Sequence, residues 1–125
     1  MSDQTLMLSY HVPGTLGADL NIRVKAPHDM QLIHASAQGS GAAAAGLSIG
    51  SATDATAYLA KSSIGVSNVA VDFDFDNFAT YAASQAYPRI SKNTYLCLAL
   101  DYDYNGGGGA VASADVSITL TLLKG

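Results

Sequence analysis

The chain has no glutamate and no tryptophan, one cysteine and three prolines, and only 13% of its 125 residues are charged. Each scarcity excludes something. Soluble domains carry about a quarter charged residues, and coiled coils and long-helix proteins draw on Glu, Lys and Arg, so that class is ruled out. Six bases against ten acids, a net charge of -4, leave no basic stripe for a nucleic-acid backbone. A lone Cys97 cannot form an intrachain disulfide. Its setting in Tyr95-Leu96-Cys97-Leu98-Ala99-Leu100 reads as a small buried strand residue. No run approaches the roughly 20 apolar residues that span a bilayer. Met1-Ser2-Asp3-Gln4-Thr5 shows no basic segment leading into an apolar one, so a soluble chain without a secretory leader is expected.

What is present is apolar and β-like. Hydrophobic residues make up 49% of the chain, too many for a disordered segment and enough for one core. The dominant period is two. Leu6, Leu8 and Tyr10 alternate with Thr5, Met7, Ser9 and His11 until Pro13-Gly14 is expected to end the strand. Leu20, Ile22 and Val24 alternate with Asn21, Arg23 and Lys25, and Ala26-Pro27-His28-Asp29 reads as a turn into a strand from Met30 to Ala37. Gly39 to Gly46 is a low-complexity loop, followed by a short strand at Leu47 and Ile49. Thr53 to Ala60 reads as one helical turn or an irregular excursion. Val69, Val71, Phe73 and Phe75 then alternate with Ala70, Asp72, Asp74 and Asp76, an expected strand with an aromatic inner and an acidic outer face. Asn77 to Pro88 is a connection anchored by Phe78 and Tyr81. Thr94 to Tyr104 is the longest apolar run, Gly106 to Gly109 a loop tip, and Val116, Ile118, Leu120 and Leu122 form the inner row of a last strand.

Seven or eight strands joined by Gly, Pro, Asn and Asp turns specify an all-β fold. The expectation is a single-domain antiparallel β-sandwich over residues 1–125, a jelly roll of about eight strands, with an immunoglobulin-like sandwich as the alternative. Residues 1–5 are expected to form an extended N-terminal arm.

The constellations that could carry chemistry fall short. Asp72-x-Asp74-x-Asp76-Asn77 opens like an EF-hand loop, but Asn77 and Ala83 stand where Gly and a bidentate Glu are required. Alternate carboxylates on a strand lie about 7 Å apart, so a weak calcium site would need Asp101 and Asp103 from a neighbouring strand. The alternative is a solvated acidic face, or one awaiting a cation or a basic partner. His11, His28 and His34 are not followed by any later His, which leaves a three-ligand catalytic metal centre incomplete. No Gly-x-Ser-x-Gly elbow occurs, Cys97 is mid-strand, and the glycine run lacks the Lys-Ser/Thr of a phosphate loop. Neither an enzyme nor a cofactor is expected. Tyr81, Tyr87, Tyr102 and Tyr104 are candidates for an interface or, as the alternative, for the platform of a lectin-like carbohydrate module.

Several motifs together carry a resemblance. Ala26-Pro27 opening a strand, Leu47-Ser48-Ile49-Gly50 with Thr53-Asp54 and Ala57-Tyr58-Leu59, Asn93-Thr94-Tyr95-Leu96, the Asp/Gly-rich stretch from Asp101 to Gly109, and the ending Ala114 to Leu122 with a terminal Gly are similar to small virion proteins of tailed bacteriophages. The resemblance covers residues 20–125. It implies a jelly-roll capsid decoration or cement protein, or a related head or tail accessory subunit, made in the host cytoplasm and bound to the outer capsid surface. The implied partners are the major capsid protein and copies of the chain itself, with a trimer favoured and neither nucleic acid nor membrane involved. Met1 and Leu6, in the first 19 residues, are interface candidates for an arm that reaches the capsid or a neighbouring subunit.

Overall fold

The computed structural model describes residues 5–16, 18–40, 45–80, 85–101 and 114–124. Nine strands occur among them: β1 (Thr5–Thr15), β2 (Leu20–Lys25), β3 (Met30–Gln38), β4 (Gly46–Gly50), β5 (Leu59–Ser63), β6 (Val71–Phe73), β7 (Arg89–Ile90), β8 (Tyr95–Asp101) and β9 (Ala114–Lys124). They form two antiparallel sheets. The first has the order β1-β9-β3-β6 with β7 also paired to β3, and the second has the order β2-β8-β4-β5. Among the described strands the chain crosses between sheets at six of eight connections, so the two layers are wound together and not built one after the other. The expected all-β sandwich is what the residues form.

The core follows from the period-two pattern. Val116, Ile118, Leu120 and Leu122 of β9 are fully buried in the middle of the first sheet. Leu96, Leu98 and Leu100 of β8 face them from the second sheet, flanked by Leu47 and Ile49 of β4. A fully buried leucine truncated to alanine costs about 2–5 kcal/mol, so these two central strands contribute a large share of the side-chain stability.

Two strands carry a change of phase. In Met30-Gln31-Leu32-Ile33-His34-Ala35-Ser36-Ala37 the apolar positions switch from even to odd, and the pairing of β3 with β9 shifts between Leu32 and His34. The extra residue keeps Met30, Leu32, Ala35 and Ala37 on the core side. On β1 the expected end at Pro13-Gly14 is corrected. The strand continues to Thr15, with a register shift between Val12 and Thr15 and Gly14 at φ 78°. Proline removes a ladder donor, but β1 is an edge strand and a bulge absorbs the mismatch. Asp115, opposite that bulge at φ 48°, accepts a hydrogen bond from the Gly14 amide at 2.8 Å.

Of the two readings of Thr53 to Ala60 the irregular excursion holds as far as Tyr58, in a loop closed by the Ser51 amide on the Asp54 carbonyl at 2.8 Å, while Leu59 and Ala60 begin β5. Two further expectations are corrected. Only Val71–Phe73 of the presumed acidic strand pairs, because Phe75–Asn77 turns into a 3-10 helix. Its inner face is accordingly incomplete: Phe73 is buried, but Val69 is 68% exposed. Cys97 is half-buried and not enclosed, since it lies on the outer face of β8.

Candidate functional site

The acidic residues do not make one patch. Asp72 and Asp74 both approach His34, whose Nε2 lies 3.4 and 3.6 Å from a carboxylate oxygen of each. Asp76 is carried away on the 3-10 turn, whose geometry is fixed by the Asn77 side-chain oxygen accepting from the Asp74 amide at 2.8 Å. Asp101 belongs to the other sheet and meets Lys61 Nζ at 2.7 Å. Asp103 lies outside the described residues. The grouping of Asp101 with Asp72, Asp74 and Asp76 is therefore corrected, because the pairs Asp72–His34 and Asp101–Lys61 sit in different layers. Among the described residues, no three of His, Cys and Asp are gathered as a metal ion would require.

The interface candidates divide similarly. Leu6 is 41% exposed near one end of the sandwich, where it lines a mainly apolar cleft with Pro27, His28, Met30 and Lys124. Tyr87 is half-buried, its ring centroid 4.6 Å from that of Phe75, so it packs against the chain's own core. Met1, Tyr81, Tyr102 and Tyr104 lie outside the described residues. Sequence reasoning passed over Met7, which is 66% exposed, as well as Val69 and Tyr95. Met7 and Tyr95 had a readable signal: each is apolar in the polar phase of its strand.

Within the first sheet, the outer side of β1 and β9 carries no permanent charge. From Thr5 to Val12 on β1 and from Val116 to Leu123 on β9 the only ionisable groups are His11 and Tyr10. Short polar side chains there pair with one another across strands: His11 Nδ1 and the Ser117 hydroxyl are 2.9 Å apart, and the Ser9 and Thr119 hydroxyls 3.4 Å apart. Tyr10 points inward, and its burial raises the phenol pKa. Formal charge returns at the rim. There Asp115 accepts from the Gly14 amide and from the Ser40 hydroxyl at 3.2 Å, and those bonds hold its carboxyl below the usual range.

The second sheet is dressed differently. Arg23, Lys25 and Lys61 project from it, and the loop from Ser51 to Tyr58 folds back over β4. That loop is knitted by Asp54, whose carboxylate accepts from the Thr56 amide at 3.1 Å and hydroxyl at 3.2 Å. Gly50 permits the approach: a Cβ there would run into the Asp54 and Ala55 backbone. Burial raises the Tyr58 pKa, and proximity to Cys97 adds to the effect.

No family model matches the chain, and no curated protein matches it in sequence. Among solved structures, a chain of the "Cyanophage Pam1 capsid asymmetric unit" is similar, with a TM-score of 0.57 at 14% identity. The likeness spans 98% of this chain and 85% of that one, and at such identity it is a likeness of fold.

Proposed function

We propose that this chain is a virion structural protein, a non-catalytic decoration or cement subunit bound to the outside of a phage capsid. The observation that carries the reading is the fold shared with a chain of a cyanophage capsid asymmetric unit along nearly the whole length. The strand order supports it. The orders β1-β9-β3-β6 and β2-β8-β4-β5, with the chain alternating between layers, correspond to the jelly-roll winding, a form common in viral capsid domains.

The partner is the major capsid protein, and the protein acts as a homo-oligomer, a trimer in the favoured form. Of the described surfaces, the outer face of β1 and β9 suits shell contact best. Its side chains pair with one another across strands, and it presents no permanent charge to desolvate. Exposed Met7 adds apolar area to that face.

Sedimentation with shells tests the proposal. Shells assembled from the major capsid protein of the same genome are mixed with the purified chain and pelleted. Saturable binding at a fixed ratio to capsomers, with a raised melting temperature of the shell, is the expected result. A chain that stays in the supernatant at every ratio overturns the reading.

A further inference from the structure

We propose that the outer face of the second sheet holds a binding site for a neutral polyhydroxylated ligand of monosaccharide size. The inference is independent of the capsid reading and rests on a cavity of about 290 Å³ between that sheet and the edge of the Ser51–Tyr58 loop. β2 contributes Asn21, β4 Ser48, β5 Lys61 and β8 Asp101, while the loop contributes Thr56. Small residues make the room. Ser48, Ala99 and Asn21 lie side by side across three strands, with Ala55 over them from the loop.

Ser48 is the observation that points to a ligand. It stands on the outward face of β4, yet the loop leaves it only 3% exposed, and it is the buried polar residue among the described side chains. Its hydroxyl lines the cavity and has no hydrogen-bond partner among the described residues. An enclosed hydroxyl left without a partner costs about 1–3 kcal/mol, a cost that a bound group removes. The Asn21 amide, exposed at the mouth, is likewise without a partner among the described residues.

The lining selects the ligand class. An anion would face the carboxylates of Asp19 and Asp101, and a cation would face the Lys61 ammonium, itself held 2.7 Å from Asp101. A neutral ligand meets neither penalty. Hydroxyls that both donate and accept match the mixture of Asn21 amide, Ser48 hydroxyl, Lys61 and carboxylates, while Ala55 and Ala99 offer a small aliphatic surface to a ring's C–H face. The volume is at the small end of ligand cavities, about 300 Å³, which limits the occupant to a single ring.

Amide NMR spectra of the full chain, titrated separately with glucose, galactose, mannose, N-acetylglucosamine, calcium chloride and sodium phosphate, test this. At least one saccharide is expected to shift the amides of Asn21, Ser48, Thr56 and Lys61 saturably. Ser48→Ala is expected to weaken that binding about tenfold, the loss of one good hydrogen bond, with the ligand-free melting temperature unchanged or higher. Asn21→Ala, on an exposed side chain, provides the same readout should Ser48→Ala fold poorly. The proposal is overturned if no saccharide shifts these amides, if only calcium or phosphate does, or if a saccharide response is the same in both variants.

Discussion

Both sheets are apolar inside, but the β1 and β9 side of the first and the outer face of the second are dressed differently. The outer face of β1 and β9 carries hydroxyls, a histidine and Met7, and pairs polar groups across its strands. The outer face of β2, β8 and β4 carries Arg23, Lys25 and the Lys61–Asp101 pair, and the Asp54-centred loop covers part of it. The difference teaches that the modest net charge is not spread evenly. The outer side of β1 and β9 has no permanent charge to strip of water, as shell contact requires, and the second sheet holds a half-open cavity beside its loop. The first suits a large partner and the second a small molecule.

Substitutions can break the contrast, the largest effect first. Gly50→Val drives a branched side chain into the backbone of Asp54 and Ala55, and is expected to cost about 3 kcal/mol by urea unfolding. The same valine at Ser9, exposed on the outer face of β1, should change stability by no more than about 0.5 kcal/mol. Equal costs at the two positions would remove the structural distinction between the faces. Lys61→Ala severs a partly exposed ion pair, so a loss below about 1 kcal/mol that shrinks in high salt is expected.

Asp115 sharpens the comparison at the rim of the β1 and β9 face. Its folded pKa is depressed by the Gly14 amide and the Ser40 hydroxyl, so its contribution is complete above the unfolded value and is lost as pH falls through the folded one. Acidification below about pH 4 should therefore destabilise the protein more steeply than it destabilises Asp115→Asn, as read from melting temperatures across an acid series. Parallel curves would show that the bulge does not depend on that carboxylate.

How much of this was legible depended on strand length and phase. β9 and β2 alternate without interruption, and their inward rows were readable residue by residue, whereas in β8 the apolar Cys97 and Ala99 of the outer row blurred the alternation and Cys97 read as buried. β7 is two residues long and has no period to detect. β1 runs through Pro13-Gly14 because an edge strand tolerates a missing donor, which depends on neighbours that local sequence does not name. The acidic run kept its alternation past the point where the chain turned, since Asn77 closing on the Asp74 amide competed with the ladder. Ser48 read as the polar phase of a half-buried strand. Its burial comes from a loop that folds back over Gly50, a tertiary contact that only the glycine hinted at.

The central claim is that the outer face of β1 and β9 seats this chain on a capsid shell. Sedimentation of wild type, Thr119→Arg and Arg23→Glu with shells of the major capsid protein tests it most directly. The first variant puts a charge in the middle of that face, and the second reverses one on the opposite sheet. Binding by wild type and Arg23→Glu, with Thr119→Arg folded but left in the supernatant, is the predicted result. Pelleting of Thr119→Arg as well as wild type, or of neither, would contradict it.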